Sequence, residues 1–331
     1  MADLKLNLVL GNHTGRFKAL FDGRVKPDGI ELAPSTMDID QLFWRIPNKD
    51  DVDVCELSLT GYMWGIQHGK AWTAIPVFPG WVFSCHTETL VNRDAGIDRP
   101  EDLKGKRIGV PEYQLTANVW ARAILEEDHG VTPSDVIWVR GGIEDADRPE
   151  KITLNLPKDV RLEDAPGGKT ISALLDEGAI DGFIAPRPPG GAAAHNPNVG
   201  WLYSDPVAAA KDYFARTRIF PIMHLVGIRR ALVEQHPWLP AAVLKGFEQA
   251  KAKALELLFD TSATKVTMPF VEERLKEARA LMGDDFWSYG LEPNRKTLET
   301  FLRHHHKQGL SSRLVTPDEL FHPSTHETFK I

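Results

Sequence analysis

Two histidines, His86 and His224, stand out as acid–base candidates, because an imidazole titrates near neutral pH and passes a proton in either direction. The apolar run 219–223 leads into His224, and the alternative there is a buried histidine bonded to a carbonyl. Glu56 and Ser58 end the predicted strand at 52–55, where a carboxylate can accept a hydroxyl proton. Equally, Glu56 can pair with a lysine or cap the helix that follows Leu59. Glu112 and Tyr113 follow the run 108–110 and precede a helical pattern that starts near Thr116. Backbone N–H groups at a helix start, with the Thr116 hydroxyl, suit an anion such as a carboxylate. The alternative is that Thr116 only caps its own helix. Arg16 and Arg187 each follow a predicted strand, and a guanidinium can clamp a carboxylate through two parallel hydrogen bonds. Trp81 and Trp120 offer ring-stacking faces, although helical spacing suits Trp120 to a core as well.

Other chemistries lack their residues. His304-His305-His306 suggests a metal, but adjacent helical side chains point about 100° apart and three in a row cannot converge on one ion. Gly11-Asn12-His13-Thr14-Gly15 follows a strand without the GxGxxG spacing, and no GxxxxGK[ST] occurs, so nucleotide binding is not expected. Without GxSxG, Ser58 and Ser84 have no hydrolase context. The two cysteines, Cys55 and Cys85, cannot form a disulfide framework and lack CxxC spacing for zinc, so buried thiols are expected. A net charge of −7 with no long basic run makes a poor nucleic-acid binder.

These candidates must be positioned by a chain of 331 residues, longer than one ordinary core needs. Strand patterns at 6–10, 51–57, 74–78, 89–91, 105–110, 136–139, 182–185 and 201–203 alternate with helical ones at 16–22, 59–68 and 116–127. That alternation predicts an α/β protein with largely parallel sheets. From residue 230 the pattern is mainly helical, clearest at 241–259, 269–282 and 295–308. The polar stretch 141–168 reads as a surface excursion, and Arg187-Pro188-Pro189-Gly190-Gly191 as a loop. One lobe is predicted from 1–88 and 222–331, with a second, 89–221, inserted into it. Two chain crossings then make a hinge, and the cleft between lobes is the natural ligand site. No stretch nears the roughly 20 apolar residues of a membrane span. The first ten residues alternate as a strand does and carry no signal-peptide pattern, which predicts a cytoplasmic protein.

The block Arg99-Pro100-Glu101-Asp102-Leu103-Lys104-Gly105-Lys106-Arg107-Ile108-Gly109-Val110-Pro111-Glu112 resembles the start of the second lobe in type II periplasmic-binding-protein folds. A more specific resemblance is to the 4,5-dihydroxyphthalate decarboxylase family. It rests on Val54-Cys55-Glu56-Leu57-Ser58, Ile75-Pro76-Val77-Phe78-Pro79 and Pro111-Glu112-Tyr113-Gln114-Leu115-Thr116-Ala117-Asn118-Val119-Trp120. Phe220-Pro221-Ile222-Met223-His224, Tyr289-Gly290-Leu291-Glu292-Pro293-Asn294-Arg295, Gln308-Gly309-Leu310 and Glu319-Leu320-Phe321 continue it in order. Two segments depart from the family: Thr14-Gly15-Arg16-Phe17 keeps only the arginine of Tyr-Asp-Arg-Thr, and Phe83-Ser84-Cys85-His86 lacks the arginine of an Arg-His pair.

The resemblance implies cofactor-independent decarboxylation of a hydroxylated phthalate to a hydroxybenzoate such as protocatechuate, in an enzyme that self-associates. Losing carbon dioxide directly from a benzene ring would leave an unsupported aryl anion. A ring hydroxyl ortho or para to the carboxylate can instead push electron density onto the carbon that an acid protonates. His86, His224, Glu112 and Glu56 are then the expected catalytic residues. Arg16, Ser58, Ser84, Tyr113, Thr116, Trp120 and Arg187 are the expected substrate contacts. The rival expectation, on the same fold, is a solute-binding protein of an ABC transporter for a small carboxylic acid, which needs no proton donor.

Overall fold

In the computed structural model the described residues are 3–12, 15–48, 51–69, 71–146, 148, 152, 154–190, 192–260, 262 and 266–327. The chain divides into two compact units. One comprises Met1–Gly80, His224–Leu298 and Val315–Ile331, and the other Trp81–Met223 and Glu299–Leu314. Residues 299–314, which the sequence division groups with the first lobe, therefore count with the second unit.

The first unit opens with β1 (Leu4–Gly11), β2 (Ile30–Met37), β3 (Val54–Ser58) and β4 (Trp72–Ile75). The second holds β5 (Thr89–Asn92), β6 (Arg107–Val110), β7 (Ile137–Arg140), β8 (Arg161–Asp164), β9 (Gly182–Ile184) and β10 (Val199–Trp201). The chain then returns to the first unit as β11 (His224–Arg229).

The first sheet has the order β2-β1-β3-β11-β4. Leu8, Leu10, Val54 and Cys55 are fully buried, as expected where helices or loops cover both faces of inner parallel strands. Pro34 faces Leu8 from β2; with no N–H to donate, it is suited to this edge strand. β1 runs parallel to β2 and β3, but β11 is antiparallel to both β3 and β4. Parallel neighbours require a crossover on every return, and a strand arriving from the other unit is free of that constraint. On the helical side of this unit Phe17 meets Phe247 of the long helix Leu239–Phe259 edge to face, 5.3 Å between centroids.

The second sheet runs β10-β5-β9-β6-β7-β8. β9, β6, β7 and β8 are parallel, while β5 is antiparallel to β9 and to β10. The expectation of largely parallel sheets is thus corrected to two mixed sheets. Leu90, Val139, Ile171, Leu174, Leu175, Ile180, Phe183 and Ala185 form one apolar cluster of this unit. The polar stretch 141–168 is not only an excursion, since it contains β8. That strand is Arg-Leu-Glu-Asp on an exposed edge, where charged side chains discourage further pairing and hide the strand pattern.

Candidate active site

The pairing of β3 with β11 builds the first cluster. His224 lies directly across from Ser58, and Val226 across from Glu56. Side chains two apart on a strand share a face, so Glu56, Ser58 and His224 project to the same side. The Glu56 carboxylate is fully buried, and an ionised group there needs partners. Its Oε1 meets His224 Nδ1 at 2.6 Å, and its Oε2 accepts the Gly11 N–H at 2.9 Å. With Nδ1 engaged by the carboxylate, Nε2 is the ring nitrogen left clear of it. Among the described residues Nε2 has no hydrogen-bond partner, and the side chain is 21% exposed. The edge of the arrangement is closed by Phe43, nearly perpendicular to the imidazole at 5.1 Å. Ser58 takes the capping role: it is the N-cap of the helix Leu59–Gln67, and its Oγ accepts from Gly61 N at 3.4 Å.

Arg16 stands in the short helical turn Gly15–Phe17 beyond β1. Nη1 donates to the Phe78 carbonyl at 3.2 Å and to the Tyr289 hydroxyl at 3.4 Å, and Nη2 donates to the Pro79 carbonyl. Trp287 lies against the guanidinium at 4.3 Å. Three of its five N–H donors are thus committed within the protein. The remaining two, on Nε and Nη2, are the number that one carboxylate takes.

In the second unit β6 leads into Glu112, which is 2% exposed. Arg148 donates to Glu112 Oε1 from Nε at 3.1 Å and from Nη2 at 2.5 Å, while Gln114 Nε2 donates to Oε2 at 3.0 Å. The carboxylate is therefore an ion-pair partner rather than a solvated or unengaged base. Asn118 Nδ2 donates to the Glu112 carbonyl at 2.9 Å, and Arg122 Nη2 to the Tyr113 carbonyl at 2.6 Å. Tyr113 is buried beneath the Arg122 guanidinium, which sits 3.8 Å from its ring. The N-cap of the helix Thr116–His129 is Leu115, so Thr116 is its buried first residue and not the cap.

Several expected contacts lie in the interior. Trp120 is fully buried, donates its indole N–H to the Ile222 carbonyl at 2.9 Å, and packs on Phe301. That corrects it from a stacking platform to a core residue. Trp81 packs on Phe220 at 5.0 Å. His86 is 2% exposed, with Tyr203 and Tyr213 at 5.1 and 5.2 Å. Burial penalises its charged form and lowers its pKa to about 4. Its Nδ1 is buried with no partner among the described residues, so His86 lacks the carboxylate that equips His224. Arg187 is exposed. The side chain of Ser84 and residues His13 and Thr14 lie outside the described residues. The histidines of the triple run turn to separate atoms and do not converge: His304 Nε2 meets Glu127 at 2.8 Å, His305 Nδ1 meets Ser311 Oγ at 3.1 Å, and His306 Nδ1 meets the Ser311 carbonyl at 2.9 Å.

Sequence reasoning passed over Phe43 and Arg148. An aromatic residue in an amphipathic helix carries no signal of the imidazole it will meet. Arg148 lies in the polar stretch 141–168, where the only available hint was a cation within reach of a buried carboxylate.

A 4,5-dihydroxyphthalate decarboxylase of Comamonas testosteroni is 51% identical over 332 residues, covering all of both chains. The chain belongs to the 4,5-dihydroxyphthalate decarboxylase family. A second member of the family, from Pseudomonas putida, is 46% identical over 215 residues, covering 65% of this chain and 83% of the relative. Residues 81–149 also match the family described as NMT1/THI5 like. The periplasmic aliphatic sulphonate-binding protein of Escherichia coli superposes with a TM-score of 0.54 at 14% identity, over 98% of this chain and 99% of that one. This 4,5-dihydroxyphthalate decarboxylase family member therefore has a two-lobed type II periplasmic-binding-protein-like fold.

Proposed function

We propose that the protein is a carboxy-lyase that converts 4,5-dihydroxyphthalate, or a closely related hydroxylated phthalate, to a hydroxybenzoate such as protocatechuate. Full-length identity of 51% to a relative of that name supports the reaction. The single structural observation that carries the mechanism is the 2.6 Å contact between buried Glu56 and His224 Nδ1.

In this reading a ring hydroxyl para to the departing carboxylate loses its proton to solvent. Its electrons flow into the ring, and the carbon bearing the carboxylate takes a proton from His224 Nε2. The carbon–carboxylate bond then breaks, and its electron pair restores the aromatic ring as carbon dioxide leaves. The hydroxyl regains a proton from solvent, and so does the imidazole. One proton is consumed for each carbon dioxide released. Glu56 holds the imidazole in one tautomer and offsets the charge of the imidazolium that precedes transfer. Arg16 offers its two remaining donors to a substrate carboxylate. The route draws its electrons from the phenol and calls on no electron-sink coenzyme. Glu112, Tyr113, Thr116, Trp120, Arg187 and His86 are assigned no step in it.

We place the enzyme in the cytoplasm and expect it to self-associate, to be checked by cell fractionation and sedimentation. Among the described residues no helix is long and apolar enough to cross a membrane. The decisive experiment incubates purified protein with 4,5-dihydroxyphthalate and follows carbon dioxide and protocatechuate. Stoichiometric release of both is expected. Tight binding without turnover would instead make the protein a solute receptor on the same fold.

A further inference from the structure

Gly80 has a role that its backbone does not explain. It is not among the glycines with positive φ, so its conformation is open to any residue. What demands glycine here is space. A Cβ at this position would lie 2.7 Å from His224 Nδ1, 3.1 Å from Cγ and 3.3 Å from Cε1, against a ring that has little freedom to yield. Glu56 holds Nδ1 at 2.6 Å, and Phe43 stands almost perpendicular at 5.1 Å. The Gly80 segment is tied down as well. Its carbonyl accepts the His224 N–H at 3.4 Å, and the carbonyls of the two residues before it, Phe78 and Pro79, both take hydrogen bonds from Arg16.

We infer that Gly80 is a positioning residue: its missing side chain forms one wall of a slot that seats the His224 imidazole with Nδ1 on Glu56 and Nε2 outward. The inference rests on the proposed role of His224 as proton donor. The same slot gives Arg16 a second duty, because anchoring the Phe78 and Pro79 carbonyls steadies the wall that the ring rests against. Glu56 is the titratable group against the ring; Phe43 and Gly80 bring no charge.

The test is Gly80→Ala in the full chain, with Gly167→Ala as the control, since a Cβ at Gly167 meets nothing within 4 Å. A methyl at Gly80 must push the ring off Glu56. The expected result is a kcat about 10- to 100-fold lower, the scale of a misplaced reacting group, with KM changed by no more than about twofold. The downfield proton resonance of the His224 Nδ1–H on Glu56 should shift or vanish. Gly167→Ala should change neither. Phe43→Leu touches the same ring from another element and should move the same resonance, so it carries the test if Gly80→Ala does not fold. Wild-type kcat and an unmoved resonance in either folded variant would overturn the inference. Wild-type protein without turnover would instead defeat the proposed function, while the resonance would still report whether Gly80 seats the ring.

Discussion

His224 and His86 are the same side chain in opposite settings, one in each unit. His224 begins β11 with Nδ1 on a buried carboxylate and Nε2 unpartnered among the described residues. His86 lies in the short helix Ser84–Thr87, enclosed by two tyrosines, with its Nδ1 unpartnered and its charged form suppressed by burial. Residue type alone makes them equal acid–base candidates. The difference is in their surroundings: Nδ1 of His224 lies on the Glu56 carboxylate, whereas burial around His86 disfavours its charged form. Of the two, His224 alone combines a hydrogen-bonded carboxylate with a partly exposed ring, which is why the proposed mechanism assigns it the proton.

The sharpest way to break this comparison is to remove each imidazole in turn. His224→Ala should lower kcat by about 10²- to 10⁴-fold, the range for a general acid, with a much smaller change in KM. His86→Phe should retain turnover within a few-fold, so equal losses in steady-state assays would reverse the assignment of the proton donor.

A smaller effect concerns stability against pH. The folded-state pKa of His86 is lowered from 6.5 to about 4, so between these values the unfolded chain binds a proton that the folded chain does not. Stability contributed by the neutral buried ring is complete above pH 6.5 and declines as the pH falls toward 4, by about 3 kcal/mol in all. Chemical denaturation at a series of pH values should show His86→Phe losing less stability than wild type across that window. An unchanged slope would mean that the ring is not held neutral.

The smallest expected change is at Arg187, an exposed residue that the proposed mechanism does not use. Arg187→Ala should alter stability by no more than about 0.5 kcal/mol and leave KM near wild type. A KM raised several-fold would restore the arginine to the list of substrate contacts.

Much of the architecture is legible where local patterns are strong. The helix Thr116–His129 and the strand β6 before it follow from apolar periodicity alone. β2 and β8 escape such a reading because both are edge strands. β2 carries Pro34 and β8 is mostly charged, so neither shows the β-branched, alternating pattern of an inner strand. The candidate site is legible to a lesser degree. Glu56 can be singled out at the end of a predicted strand and His224 at the end of an apolar run, but their pairing cannot.

What the amino-acid order determined by itself is the kind of protein: alternating strands and helices, a family resemblance spread along the chain, and a short set of groups able to move protons or hold carboxylates. Those properties depend on local periodicity and side-chain chemistry. Tertiary structure alone decided which groups meet. Glu56 and His224 are 168 residues apart and touch because β11 returns antiparallel beside β3 in one register. Gly80 becomes part of the same arrangement because that register sets the imidazole against its bare Cα. Contacts of this range arise from strand pairing and packing, which no neighbouring stretch of sequence encodes.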